Sequence, residues 1–301
     1  MKFNKETASK VWLPKEANFS TCLDFLLQRF PRIPPQVWEQ RCSEGKVFLH
    51  QSEAISPETP YQGGQHLYYF REVENEPRIP FQENILYENE NFLIVDKPHF
   101  IPVHPAGQYV KESLSERLKK KTSNPELNAA HRIDRQTAGL VLFCKKNQTR
   151  GLYQELFSSK KIKKTYRAIV KIDPKKGIPQ KPFFLTGHFQ PSEEVWFLMK
   201  ELQNEKSNAE SQVTLIEKNK TQALVSLKPL SGKKHQLRIH CCRFSKGIVN
   251  DNFYPVLENE ENNKDFTRPL QLLAYKLEFQ DPVTLEDFCF TSRFKLKHDS
   301  F

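Results

Sequence analysis

An α+β fold built on a mixed, mostly antiparallel sheet is predicted by two features of this 301-residue chain. Segments that alternate like strands outnumber those with helical spacing, and the two kinds are interleaved irregularly. No Gly-rich phosphate loop is present, which argues against an ATP- or dinucleotide-dependent enzyme. Length predicts about two domains. The pattern divides into a polar arm over 1–15, a small α+β module over 16–72, a linker over 73–84 and a larger domain over 85–301.

In the small module Leu23, Leu26, Leu27 and Phe30 fall on one helical face, and Pro31, Pro34 and Pro35 break that helix. Val37 to Arg41 reads as a second short helix. Gly45 to Leu49 turns into a strand, and Gly63-Gly64 leads to another, Leu67 to Phe70. The charged stretch that follows, with Pro77 and Pro80, reads as the linker. In the larger domain Ile85–Tyr87 and Phe92–Val95 are strands, and Leu114 with Leu118 marks a helix over Glu112–Lys121. Leu140–Cys144 is a buried strand, and Leu152 with Leu156 marks a helix over Thr149–Phe157. Thr165–Lys171 and parts of Val213–Leu227 alternate like strands, with Asn204–Ser211 as an exposed turn. Leu237, Cys241 and Phe244 define a last helical face, ended by Lys246-Gly247.

Lys plus Arg total 46 against 36 Asp plus Glu, a net charge of +10. That balance favours polyanion partners, RNA or DNA ahead of membranes. No apolar run approaches the ~20 residues that span a bilayer, and Met1–Lys10 has no apolar signal-like region. The six cysteines are scattered and two are adjacent, as in a reduced, cytoplasmic protein. His240-Cys241-Cys242 lacks ligand spacing, so no metal is expected.

The chemistry centres on Ala129–Leu140, where Asp134 lies between Arg132 and Arg135 ahead of an apolar run. Nearby guanidinium groups favour an ionised carboxylate, and an ionised Asp on a turn at a sheet edge can act as a nucleophile. Spacing alone favours a surface ion pair. Lys160, Lys161, Lys163 and Lys164 lead into Tyr166, and Lys233 with Lys234 precedes the helix of Arg238. Such runs suit phosphate contact or a solvated face about equally.

The order His131-Arg132-Ile133-Asp134-Arg135-Gln136-Thr137-Ala138-Gly139 resembles the signature of the RluA-type pseudouridine synthases. Further segments follow in that family's order: Asp96-Lys97-Pro98 with Pro102-Val103-His104-Pro105, Lys163 to Val170, Gly232 to His240, Gly247 to Tyr254, and Leu272-Leu273-Ala274 through Pro282. Phe100, Lys233, Lys234 and Asn250 depart from its usual residues. The resemblance implies a cofactor-free isomerisation of uridine in RNA, with ribosomal RNA ahead of tRNA, no metal, no obligate protein partner and a monomer. It implies Asp134 as the catalytic carboxylate, a candidate nucleophile at the sugar or the base or a base at C2′, Tyr166 as the tyrosine against the uracil and Arg238 as the arginine paired with Asp134. It also implies that Arg132 fills the space left by the flipped base and that His131 supports the loop. The RNA-contact candidates are Arg132, His131, Arg135, Lys163, Lys164, Lys233, Lys234 and Lys46. Lys46 lies in the Gly-Lys-Val turn of the small module, which resembles an S4-like RNA-binding module. Two rivals remain: a non-catalytic RNA-binding protein of the same fold, and a metal-dependent nuclease, which needs a second clustered acid.

Overall fold

The computed structural model describes residues 8–31, 33–49, 53–70, 73, 76–258 and 265–297. The chain divides into two compact units, 1–75 and 76–301.

The first unit holds β1 (Ser9–Leu13), α1 (Cys22–Arg29), α2 (Pro35–Ser43), β2 (Val47–Phe48) and β3 (Gln65–Tyr69). Its antiparallel sheet runs β1-β3-β2. Helix α1 starts where Thr21 and Asp24 cap each other: the Asp24 N–H donates to Thr21 Oγ1 at 3.1 Å, and the Thr21 N–H donates to Asp24 Oδ2 at 2.9 Å. Pro35 opens α2, where its missing N–H costs nothing. Ser9–Leu13 was expected in a loose arm and is instead a strand, because Val11 and Leu13 alternate inward onto the unit's core. Residues 1–7 of that arm lie outside the described residues.

The second unit contains an 11-stranded sheet. Its elements are β4 (Asn84–Glu88), β5 (Phe92–Lys97), α3 (Leu114–Thr122), β6 (Asn128–Ala129), β7 (Ala138–Cys144), α4 (Arg150–Ser158), β8 (Lys163–Lys171), β9 (Phe183–Pro191), β10 (Met199–Leu202), β11 (Ala209–Lys218), β12 (Gln222–Pro229), α5 (Gln236–Phe244), β13 (Leu272–Gln280) and β14 (Asp287–Thr291). The strand order is β10-β9-β11-β12-β8-β13-β7-β5-β4, with β14 beside β13 and β6 beside β7. Pairing is antiparallel except between β13 and β7. The architecture is therefore α+β on a mostly antiparallel mixed sheet.

Strands β5 and β7 are apolar on both faces. Leu93, Val95, Val141 and Phe143 pack with Leu114 and Leu118 of α3, while Phe92, Ile94, Leu140 and Leu142 pack with Tyr153 and Leu156 of α4. Burial on both sides explains why these segments read as continuous apolar runs rather than alternating ones. Helix α5 lays Leu237, Cys241 and Phe244 against Ala168, Val170, Val213 and Leu227.

Two readings need correction. Ala209 and Ser211 belong to buried β11 rather than to an exposed turn, because Ser211 is a hydrogen-bond partner of Gln236 and His240. Part of the expected linker packs on the second unit: Ile79 is buried, and Glu76 accepts the N–H groups of Val110, Lys111 and Glu112.

Candidate active site

Asp134 sits on the turn that feeds β7, and its carbonyl accepts the Thr137 N–H at 3.1 Å. The turn is fixed from below. Lys97, fully buried at the end of β5, spends its three donors on the carbonyls of Pro98, Ile101 and Arg135, at 3.0, 2.8 and 3.1 Å. His99 Nδ1 lies 2.6 Å from the Gln136 carbonyl and donates to it. Gly139 then lets β13 approach. At φ +112° it faces a backbone so close that a Cβ would sit 2.2 Å from the Ala274 carbonyl oxygen. The parallel pairing of Leu273 with Ala138 and Ala274 with Gly139 depends on that space.

The carboxylate is 26 % exposed, and α5 presents two groups to it. His235, at φ +56° just before α5, holds Nε2 3.9 Å from Asp134 Oδ2. Arg238 is 1 % exposed and holds Nη1 3.7 Å from the same oxygen. The other guanidinium nitrogens are committed elsewhere. Nε and Nη2 donate to Asp251 at 2.8 and 2.6 Å, and Nη2 also donates to Gln136 Oε1 at 3.1 Å. Asp251 is held in turn by the N–H groups of Phe253 and Tyr254. Gln136 closes the network by donating to Asn252 Oδ1 at 2.7 Å. The pairing expected between Arg238 and Asp134 is thus the looser of two. Asp251 takes the bidentate fork, which pre-aims the free edge at Asp134.

Burial opposes the charge on Arg238, but Asp251 and, more weakly, Asp134 outweigh it and hold the guanidinium above its ordinary range. Burial pushes the His235 imidazole down to about 4 despite Asp134, so the ring is neutral at physiological pH. Its Nδ1 lies 2.8 Å from the Tyr254 hydroxyl, which is also bonded to the Met199 backbone. On β8, Tyr166 pairs in register with Leu227 and Ala274, and its half-buried ring packs against the apolar clusters on both sides. Burial, and then the charge of Asp134, push its phenol well up.

The remaining predicted residues separate clearly. Arg132 is exposed and forms no ion pair among the described residues. Lys234 is exposed yet close enough to feel Asp134, Arg132 and Arg238, with burial the largest influence lowering its pKa. Lys163 and Lys233 are exposed, while Lys164 is half-buried, and burial with Lys160 lowers its pKa. Lys46, in the first unit, pairs with Glu44 at 2.5 Å. Two of the expected RNA contacts also serve the fold. His131 Nε2 accepts the Leu142 N–H at 3.2 Å, its ring stacks on Phe157, and burial pushes it down to about 3. The Arg135 guanidinium lies over the Tyr109 ring at 5.5 Å.

Sequence reasoning assigned no role to His235, Gln136 or Asp251. His235 and Asp251 stood inside the quoted Gly232–His240 and Gly247–Tyr254 segments, and Gln136 beside Asp134. Two departures from the family pattern also gain a physical meaning. Phe100 and Asn250 both adopt left-handed backbone, at φ +71° and +60°. Asn tolerates that region. The Phe100 backbone is held there by its buried ring, which packs against Phe81 and Phe266.

Among the described residues no group of three or more His, Cys, Asp or Glu side chains is placed to hold a metal ion, and no helix is long and apolar enough to cross a membrane. Comparison with known proteins places the site in context. Residues 91–242 match the model of the RNA pseudouridylate synthase family. The chain is 30 % identical over 221 residues to the ribosomal large subunit pseudouridine synthase C of Buchnera aphidicola, covering 71 % of this chain and 68 % of that one. It is 29 % identical over 191 residues to the tRNA pseudouridine(31) synthase of Saccharomyces cerevisiae, covering 57 % and 46 %. Among solved structures, human RNA pseudouridylate synthase domain containing 1 shares the fold, with a TM-score of 0.58 at 21 % identity over 73 % of this chain and 88 % of that one. The chain belongs to the RNA pseudouridylate synthase family and is an RNA pseudouridine synthase, an isomerase.

Proposed function

We propose that the protein is of the RluA type and converts uridines of structured ribosomal RNA to pseudouridine through Asp134, without a cofactor. The observation that carries this reading is the pre-aimed Asp134: a partly exposed carboxylate faced by the Arg238 guanidinium and the neutral His235 ring at 3.7 and 3.9 Å. A carboxylate held this way needs little reorganisation when it acts on the target nucleotide. The N1–C1′ bond breaks, the uracil turns, C5 bonds to C1′, the C5 proton leaves and N1 takes up a proton, so the product is an isomer of the substrate. No redox step or energy input is involved.

Tyr166 is assigned to the uracil. Its raised pKa argues against a free phenolate base at neutral pH and favours a ring that packs against the base. Arg132 is assigned to the space left in the RNA when the uridine leaves its stack, because its guanidinium is exposed beside Asp134 and can stack on bases. Lys163, Lys164, Lys233 and Lys234 are assigned to phosphates, and the 16–72 module with Lys46 to RNA outside the catalytic centre. The ribosomal assignment is supported by the Buchnera relative, which is named for the large ribosomal subunit and is 30 % identical to this chain. All six cysteines are unpaired, which suits the cytoplasm.

The test is release of tritium from C5-tritiated uridine in unmodified bulk ribosomal RNA and in unmodified tRNA, for the wild type and Asp134→Asn. Release by the wild type from ribosomal RNA, absent in the variant, is expected. Release from tRNA alone would overturn the substrate, and turnover by the variant would overturn the mechanism.

A further inference from the structure

The hairpin between β9 and β10 belongs to no motif of the sequence, yet it ends beside the candidate site. Its turn is ordered. The Ser192 N–H donates to the Leu198 carbonyl at 3.1 Å, Leu198 donates to Val195 at 2.9 Å, and the Val195 N–H donates to Ser192 Oγ at 3.2 Å. The turn presents Trp196, which is 62 % exposed. From there a run of rings leads inward. Trp196 meets Phe197 edge-on at 5.5 Å, Phe197 meets Phe253 at 5.1 Å, and Phe253 lies under the Arg238 guanidinium at 4.5 Å. That guanidinium faces Asp134. The exposed indole is therefore the outer end of an aromatic path whose inner end touches the proposed catalytic centre.

We propose that Trp196 is a stacking platform for an unpaired nucleobase of the RNA that flanks the uridine held at Asp134. The inference rests on the function proposed above and adds a base-binding subsite to it. Extracting a uridine unstacks its neighbours, and splayed bases are recognised by stacking on aromatic side chains. The local charge selects a base rather than a phosphate. The turn carries Glu193, paired with Lys200 at 3.2 Å, and exposed Glu194, which repel phosphate. The exposed cations Arg132, Lys233 and Lys234 lie at or beside the Asp134 site. The backbone of the RNA then tracks the cations while one base turns to the indole.

Two measurements on the full chain test this. In the tritium-release assay Trp196→Ala is expected to raise KM for unmodified RNA roughly 5- to 100-fold with little change in kcat, the range expected for one stacked base. Trp196→Phe should recover most of the loss. In the second, intrinsic fluorescence is titrated with single-stranded oligouridylate in an Asp134→Asn background. The chain has three tryptophans: Trp38 is fully buried and Trp12 is exposed on β1 of the first unit. Quenching should be lost in Trp196→Phe and kept in Trp12→Phe. An unchanged KM in Trp196→Ala, a fall in kcat alone, or quenching that follows Trp12 would each overturn the platform. Undiminished turnover by Asp134→Asn in the first assay would instead overturn the catalytic reading, so the two failures are distinguishable.

Discussion

The floor and the rim of the Asp134 site use charge in opposite ways. On the floor, Arg238, Asp251 and Gln136 are buried and their polar atoms are bonded to one another, so each position is fixed by several partners. On the rim, Arg132, Lys163, Lys233 and Lys234 are exposed, and their charges face solvent. A buried ion pair costs desolvation and is maintained where geometry must be exact to a fraction of an ångström. An exposed cation costs little and can follow a flexible polyanion. The difference separates the groups suited to chemistry from those suited to holding RNA.

If that division is right, substitutions should segregate by region. The largest effect is expected at Asp134 itself. Asp134→Asn should lower turnover by roughly 10³-fold or more while leaving thermal stability and RNA affinity nearly unchanged. Loss of fold in that variant would make Asp134 part of the structural floor instead. Next comes Asp251→Ala, which leaves the Arg238 guanidinium buried without its carboxylate. Urea unfolding should show a loss of roughly 3–5 kcal/mol, and a shift under 1 kcal/mol would mean that water replaces the pair.

Acid should act on the interior before it acts on the rim. His99, His235 and His240 are pushed down to about 4 and His131 to about 3, each chiefly by burial. The unfolded chain binds protons at these rings near pH 6.5 and the folded chain does not. Their contribution is therefore present above pH 6.5 and is lost progressively as pH falls toward 4 and then 3, by about 3 kcal/mol for each of His99, His235 and His240 and about 5 kcal/mol for His131. A melting temperature that stays flat from pH 7 to pH 4.5 would contradict neutral buried rings. The smallest effect is expected on the rim. Lys233→Ala with Lys234→Ala should reduce the slope of log affinity against log salt by about 0.7–0.9 for each lost phosphate contact. An unchanged slope would remove these lysines from the RNA path.

How legible the molecule was in its sequence depended on how local the cause of each feature is. Helix α5 was readable from Leu237, Cys241 and Phe244, because an apolar face at helical spacing is a local property. Strand β7 was readable because burial on both faces leaves a continuous apolar run. The β9–β10 hairpin was not, since its half-buried residues gain their strand character from neighbours in the sheet. Within the site, the tripeptide context of Asp134 pointed to its own arginines. The family resemblance instead named Arg238, about a hundred residues on, and tertiary structure added His235 to it while turning Arg135 over Tyr109 and leaving Arg132 to solvent.

The sequence by itself therefore determined the fold class and the family resemblance and singled out Asp134 as the candidate carboxylate, because residue type, order and periodicity are written along the chain. Tertiary structure decided which charges meet. The parallel contact of β13 with β7 at Gly139, the anchoring of the Asp134 turn by Lys97 and the bidentate hold of Asp251 on Arg238 join segments distant in the chain. Electrostatic interaction depends on distance in space and on burial, neither of which a linear spacing contains.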